Sequence, residues 1–256
     1  MKNNNIYFSI ICPIYNLEKF IPSLVNTITN QSYKKFEIIF INDGSTDDSL
    51  KILKKYIYKK KIKYQIINSK KNNGPGWARN KGIKASSYNW IAFLDGDDLW
   101  YKDKLKVIKQ NILKFKKKNF FIHWEKFISK KKKNIILRHG RHMKKNKIKI
   151  DLYRKNLFST SAVVLQKNIT KNLYFNENLP NAQDYDFWLK ISNNINDHTI
   201  KKVLGYYIDR KDSITSRRYF KKIPSLIYIC FKYMNFDLRF FFIKFIKIIF
   251  SPSWIK

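Results

Sequence analysis

The sequence predicts an α/β fold with a mostly parallel central sheet and helices on both faces. Two observations point to it. Short apolar runs alternate with stretches of helical period through roughly the first hundred residues, which demands right-handed βαβ crossovers. At 256 residues with 44% hydrophobic side chains, the chain is also long and apolar enough to enclose a substantial core.

The elements follow in order. Phe8-Ser9-Ile10-Ile11-Cys12 reads as a first strand stopped by Pro13. From Leu17 to Asn30, Phe20, Ile21, Leu24, Val25 and Ile28 share one helical stripe, with Asn16 as the expected N-cap. Phe36 to Ile41 is the second strand, and a helix from about Asp47 carries Leu50, Leu53 and Ile57 inward. Tyr64 to Ile67 is a third strand, followed by a helix through Ala78 and Ile83. Trp90 to Leu94 is the fourth, and the next helix points Leu105, Ile108, Ile112 and Phe115 inward. Beyond residue 118, His123-Trp124 and Ser161 to Leu165 read as strands joined by a basic loop from Ser129 to Lys149. His139 and His142 in that loop suit solvent better than a metal, having no Cys or acidic neighbour. A helix is expected to begin near Asp184.

Cys12 and Cys230 offer no disulfide framework or zinc spacing, and no secretory apolar segment follows Met1. No uncharged stretch approaches the ~18 residues needed to span a bilayer. A cytoplasmic, reducing location is therefore expected. Lys and Arg number 53 against 18 acids, a net charge of +35. The lysines are spread along the whole chain, so they are read as compositional habit and not as a specific nucleic-acid surface. From residue 223 to 256 the chain is rich in Ile and Phe but punctuated by Lys232, Arg239, Lys244 and Lys247. That pattern fits either an interfacial helix on anionic lipid or a helix completing the core.

In a parallel α/β sheet, ligands lie outside the carboxyl ends of the strands. Pro13-Ile14-Tyr15-Asn16 ends the first strand, Asn42-Asp43-Gly44-Ser45-Thr46-Asp47 the second, and Asp95-Gly96-Asp97-Asp98 the fourth. Tyr15 suits stacking on a base or packing at a helix start. Asp43 suits a base N–H or a turn. The acidic tetrapeptide suits a hard cation on phosphates or a solvated turn. Their shared rim favours a nucleotide-diphosphate site.

These stretches, with Gln31-Ser32-Tyr33, Asn73-Gly74-Pro75-Gly76-Trp77-Ala78-Arg79-Asn80 and the later Gln183-Asp184-Tyr185-Asp186-Phe187-Trp188, resemble the inverting family 2 glycosyltransferases of GT-A fold, in family order and spacing. The resemblance implies a Rossmann-like GT-A domain over residues 1–222, with a nucleotide-sugar-binding half (1–105), an acceptor-binding half (106–222) and a basic, aromatic helical tail (223–256). It implies that Pro13, Tyr15 and Asp43 meet the base, that Arg79 stands near the nucleotide, and that Asp95 meets the ribose or the metal's water shell. Asp97 would ligate Mn2+ or Mg2+, and Asp184 would be the general base. Arg210 occupies the place of a family histidine and could contact the diphosphate instead.

The function so implied is transfer of a hexosyl or N-acetylhexosaminyl group from a nucleotide-sugar donor, UDP by family frequency. The acceptor would be a glycan or lipid-linked saccharide in bacterial surface polysaccharide or lipopolysaccharide synthesis, at the inner face of the plasma membrane. The competing readings are an inactive glycan- or nucleic-acid-binding relative and a metal-dependent nucleotidyltransferase.

Overall fold

In the computed structural model, residues 5–129, 134–138, 143, 147–209 and 219–250 are described. Strands β1 (Phe8–Ile14), β2 (Phe36–Asp43), β3 (Lys63–Ser69) and β4 (Trp90–Phe93) pair in parallel in the order β3-β2-β1-β4. Helices α1 (Ile21–Thr29), α2 (Ser49–Tyr58) and α3 (Pro75–Ala85) make the crossovers. The chain steps outward from β1 to β3 and then returns to the other flank of β1. The reversal between β1 and β4 creates the kind of crevice in which α/β folds bind ligands.

The sheet continues beyond β4 in mixed directions. β5 (Leu99–Trp100) and α4 (Lys104–Lys114) lead to β6 (Phe120–Ser129), β7 (Asn134–Arg138), α5 (Ile148–Arg154), β8 (Val163–Gln166), α6 (Gln183–Ile191) and β9 (Asp197–Asp209). The full order is β3-β2-β1-β4-β8-β6-β9-β5, with β7 on β6; β8 runs antiparallel to β4 and β6, and β9 parallel to β6.

Period-two alternation divides the core between the two faces. Ile11, Ile39, Ile41, Ile91, Phe93, Phe120 and Val163 pack with α3, α5 and α6. Ile10, Cys12, Ile38, Phe40, Ala92, Phe121 and Val164 pack with α1, α2 and α4.

Several elements depart from the sequence expectation. β1 runs through Pro13 to Ile14, because its pairing with β4 ends at Ile11 and leaves that flank open to a residue without an N–H. Helix α1 starts at Ile21 and not beside Asn16, which adopts φ +50°, a conformation asparagine tolerates. Leu50 and Phe115 are only partly buried. The segment read as one basic loop contains β7 and the start of α5, while His139 and His142 lie outside the described residues.

The last two helices, α7 (Ile223–Lys232) and α8 (Leu238–Phe250), pack on α5 and α6. Lys232 pairs with buried Asp186 at 2.7 Å, and Lys244 Nζ donates to Tyr185 Oη at 2.9 Å. Among the described residues, no helix is long and apolar enough to cross a membrane.

Candidate active site

Three loops interlock at the carboxyl ends of β1, β2 and β4. Asn16 donates its backbone N–H to Ser45 Oγ at 3.1 Å and accepts from the Thr46 N–H at 2.9 Å, which joins the first loop to the second. The Asp43 carboxylate at the end of β2 accepts from the Asn73 backbone at 2.9 Å and the Gly74 backbone at 2.7 Å, fixing the entry to α3. Gly44 has φ +69°, and a Cβ there would lie 2.5 Å from the Lys71 carbonyl carbon, so only glycine fits. A Cβ on Gly96 would meet the Pro13 carbonyl oxygen at 3.0 Å, which measures how closely the acidic turn lies against the first loop. Tyr15 stands 42% exposed beside them.

Arg79 on α3 reaches this rim. It is 7% exposed, and its Nη2 donates to Asp95 Oδ1 at 2.5 Å. Burial works against its charge, but Asp95 alongside, then Asp184 and Asp97, outweigh burial and raise its pKa. Arg79 is buried and Asp95 half-buried, so the pair is partly shielded from solvent. The guanidinium lies 5.6 Å from the Phe175 ring centroid.

Asp184 lies in the first turn of α6, whose N-cap is Ala182, so Asp184 does not serve as the cap. Its Oδ2 accepts from Asn156 Nδ2 at 3.0 Å. Burial pushes its pKa up, opposed by Arg79 and by the Asn156 hydrogen bond. Two residues on, Asp186 is fully buried and bonded to Lys232 at 2.7 Å and Tyr233 Oη at 2.9 Å, which commits it to holding α7. Asp184, Arg79, Asp95 and Asp97 thus come within one electrostatic neighbourhood, although Asp184 is distant from the others in sequence. Arg210 lies outside the described residues.

Behind the acidic turn is a buried polar network that the sequence did not reveal. Asp98, 2% exposed, accepts from Ser161 Oγ at 2.6 Å and from the Ile208 N–H at 3.0 Å. Burial, then the like charges of Asp97, Asp95 and Glu125, push its carboxyl well above the usual range. Lys104 is fully buried, donates to the Ser161 carbonyl at 2.7 Å and lies 3.6 Å from the Trp100 ring centroid. Burial lowers its pKa well below the ordinary lysine value, with Glu125 and Asp98 opposing. Only Asp98 stood in a legible motif; Ser161, Lys104 and Glu125 belong to none.

The donor set available to a cation is carboxylate oxygen, which suits Mg2+ or Mn2+. Among the described residues no group of three or more His, Cys, Asp and Glu could hold a metal.

The model of the family described as "Glycosyl transferase family 2" matches residues 9–172. An uncharacterized glycosyltransferase of Haemophilus influenzae is 31% identical over 197 residues, covering 71% of this chain and 70% of that protein. One of Rickettsia bellii is 44% identical over 114 residues, covering 44% of this chain but only 16% of its own length. The chain thus spans less than a fifth of the Rickettsia relatives it matches. Among solved structures, Staphylococcus aureus TarS 1-349 in complex with UDP-GlcNAc superposes with TM-score 0.72 at 24% identity, covering 96% of this chain and 73% of that one. The mannosyltransferase PcManGT of Pyrobaculum calidifontis, in complex with GDP-Man and Mn2+, gives 0.69 at 14%, covering 96% and 71%. Both likenesses concern the fold.

Proposed function

This chain belongs to glycosyl transferase family 2, and we propose that it transfers a sugar from a nucleotide-diphosphate donor to an acceptor hydroxyl with inversion at the anomeric carbon. The observation that supports the proposal is that Arg79 on α3 bonds Asp95, just past the carboxyl end of β4, and that Asp184 and Asp97 act electrostatically on the same guanidinium.

In this reading, Pro13, Tyr15 and Asp43 form the base end of the donor site. Asp43 shapes it through the Asn73 and Gly74 N–H groups that it already holds. Arg79 fixes the Asp95 carboxylate at the sugar-diphosphate end. Asp97, with Asp95 beside it, would hold Mn2+ or Mg2+ against the diphosphate. When bound, the cation neutralises charge on the departing nucleotide diphosphate. Asp184 takes the proton of the acceptor hydroxyl as its oxygen bonds to the anomeric carbon and the bond to the diphosphate oxygen breaks. Its raised pKa makes the carboxylate a stronger base than a free aspartate. Arg210 would meet the diphosphate.

UDP is the proposed nucleotide and a hexose or N-acetylhexosamine the sugar, since TarS, which shares the fold, holds UDP-GlcNAc. The acceptor would be a surface glycan or lipid-linked saccharide. Binding to an anionic membrane is supported by the outer side of α8, where Leu238, Phe242, Ile243, Ile246 and Phe250 are exposed around Arg239. Calorimetric titration with UDP, GDP and dTDP, with and without Mn2+, tests the donor site. Mn2+-dependent UDP binding that disappears in Asp97→Ala is expected, and binding of none of the three would overturn the proposal.

A further inference from the structure

Asn156 lies in the short connection between α5 and β8, and among the described residues its side chain makes one hydrogen bond, from Nδ2 to Asp184 Oδ2 at 3.0 Å. Its other polar atom, Oδ1, is buried and has no hydrogen-bond partner among the described residues. Turning the amide over would not cure this. The carbonyl would then oppose the Asp184 carboxylate and the amide nitrogen would be left unpartnered. A buried carbonyl without a partner is destabilising, so an asparagine here is a poor choice for stability alone.

The connection is nonetheless held firmly. Phe158, two residues on, packs with its ring centroid 5.5 Å from those of both Phe120 and Trp188. Ser159 donates to Glu125 at 2.5 Å and accepts from the Ala162 N–H at 3.2 Å, starting the 3₁₀ turn Thr160–Ala162. That turn carries Ser161, the hydroxyl bonded to Asp98 and to the Asp95 N–H. One anchored stretch, residues 156–161, therefore touches Asp184 at one end and the acidic turn at the other.

We propose that Asn156 is a positioning residue, holding the Asp184 carboxylate in place for proton abstraction at the expense of its own unmet carbonyl. The proposal rests on Asp184 being the base. The charged and titratable groups facing Asp184 are Arg79 from α3, Asp95 from the acidic turn, and Tyr185 on its own helix. The Asn156 side chain is uncharged, so its bond to Asp184 can be deleted by substitution without adding or removing a charge.

The test compares the full chain with Asn156→Leu, which is nearly isosteric, and with the smaller Asn156→Ala. The Asp184 carboxyl carbon is followed by NMR in 13C-aspartate-labelled protein, assigned by its loss in Asp184→Asn. Losing a donor to the charged form should raise the Asp184 titration midpoint by roughly one pH unit in both variants. The melting temperature of Asn156→Leu should stay within a few degrees of the parent's, because relief of the orphaned carbonyl offsets the bond lost by Asp184. Turnover of UDP-GlcNAc should fall on the order of tenfold to a hundredfold, with donor KM unchanged. An unmoved midpoint in both variants overturns the proposal, as does a melting temperature several degrees lower in Asn156→Leu with the midpoint unmoved. Failure of the underlying reading is separate: an Asp184→Asn enzyme with parental turnover removes the base itself, whatever the Asn156 variants do.

Discussion

Ser161 donates its hydroxyl to Asp98 Oδ2 at 2.6 Å, and its oxygen accepts the backbone N–H of Asp95 at 3.0 Å. The last acid of the turn is therefore spent inward, on holding the first. Asp98 also takes the Ile208 N–H at 3.0 Å, so the acidic turn, the 3₁₀ turn before β8 and the end of β9 form one brace. Asp97 lies between the braced residues, and its backbone geometry is inherited from them.

Cutting that brace should harm metal use before it harms the fold. Ser161→Ala leaves the Asp95 N–H without its partner and takes one bond from Asp98, at a cost of about 1–3 kcal/mol. Urea denaturation should report that loss, and titration with UDP present should show a severalfold weaker apparent affinity for Mn2+. Parental Mn2+ affinity would contradict the positioning role of the brace.

Gly82 lets α3 lie on the sheet, since a Cβ there would collide with Ile11 on β1 and sit 3.1 Å from Ile41 Cδ1. Gly82→Ala should destabilise the protein by about 1–3 kcal/mol through overpacking. Because Arg79 sits one turn away on the same helix, donor binding measured by calorimetry should weaken too.

Lys244 gives a pH dependence of stability. Burial depresses its folded pKa to about 8 from the ordinary 10.5. Between those values the unfolded chain binds more protons, so this group makes stability rise with pH across that window, with its destabilising effect complete below about 8. Lys244→Met should melt higher than the parent at pH 7, and the difference should shrink as pH approaches 10.5. Tyr185 Oη still donates to the Tyr153 carbonyl at 2.6 Å in that variant, so no buried acceptor is orphaned.

For the tail, Phe242 and Ile246 are 67% and 55% exposed. A Phe242→Ser, Ile246→Ser double variant should keep the parental melting temperature and lose flotation with phosphatidylglycerol vesicles. Equal flotation would remove the membrane partner.

The parallel half of the sheet was legible because β1, β2 and β4 carry alternating or continuous apolar runs ended by turn chemistry, and the rim loops carry a family pattern. β9 was missed. Its Asp197–Asp209 sequence places Lys201 and Lys202 side by side mid-strand and breaks the period where the register with β6 shifts. An asparagine before an apolar stripe signals a helix cap, whereas Asn16 bridges two loops. Ser161, Lys104 and Asn156 were beyond sequence reasoning: their partners Asp98, Ser161 and Asp184 lie 63, 57 and 28 residues away, and no local spacing encodes such contacts.

The pH profile of turnover adds a check on the base. Burial holds the Asp184 pKa above its ordinary 3.8, so transfer should rise with pH through a midpoint above that value as the carboxylate forms. An acid limb at or below the ordinary value would argue against Asp184.

The most direct measurement is nucleotide release from UDP-, GDP- and dTDP-sugars with Mn2+ present, for the parent, Asp97→Ala and Asp184→Asn side by side. The account predicts release by the parent from a UDP-sugar, loss of both release and Mn2+-dependent UDP binding in Asp97→Ala, and loss of release with binding retained in Asp184→Asn. Parental release by Asp184→Asn, or neither binding nor release by the parent with any of these donors, would contradict it.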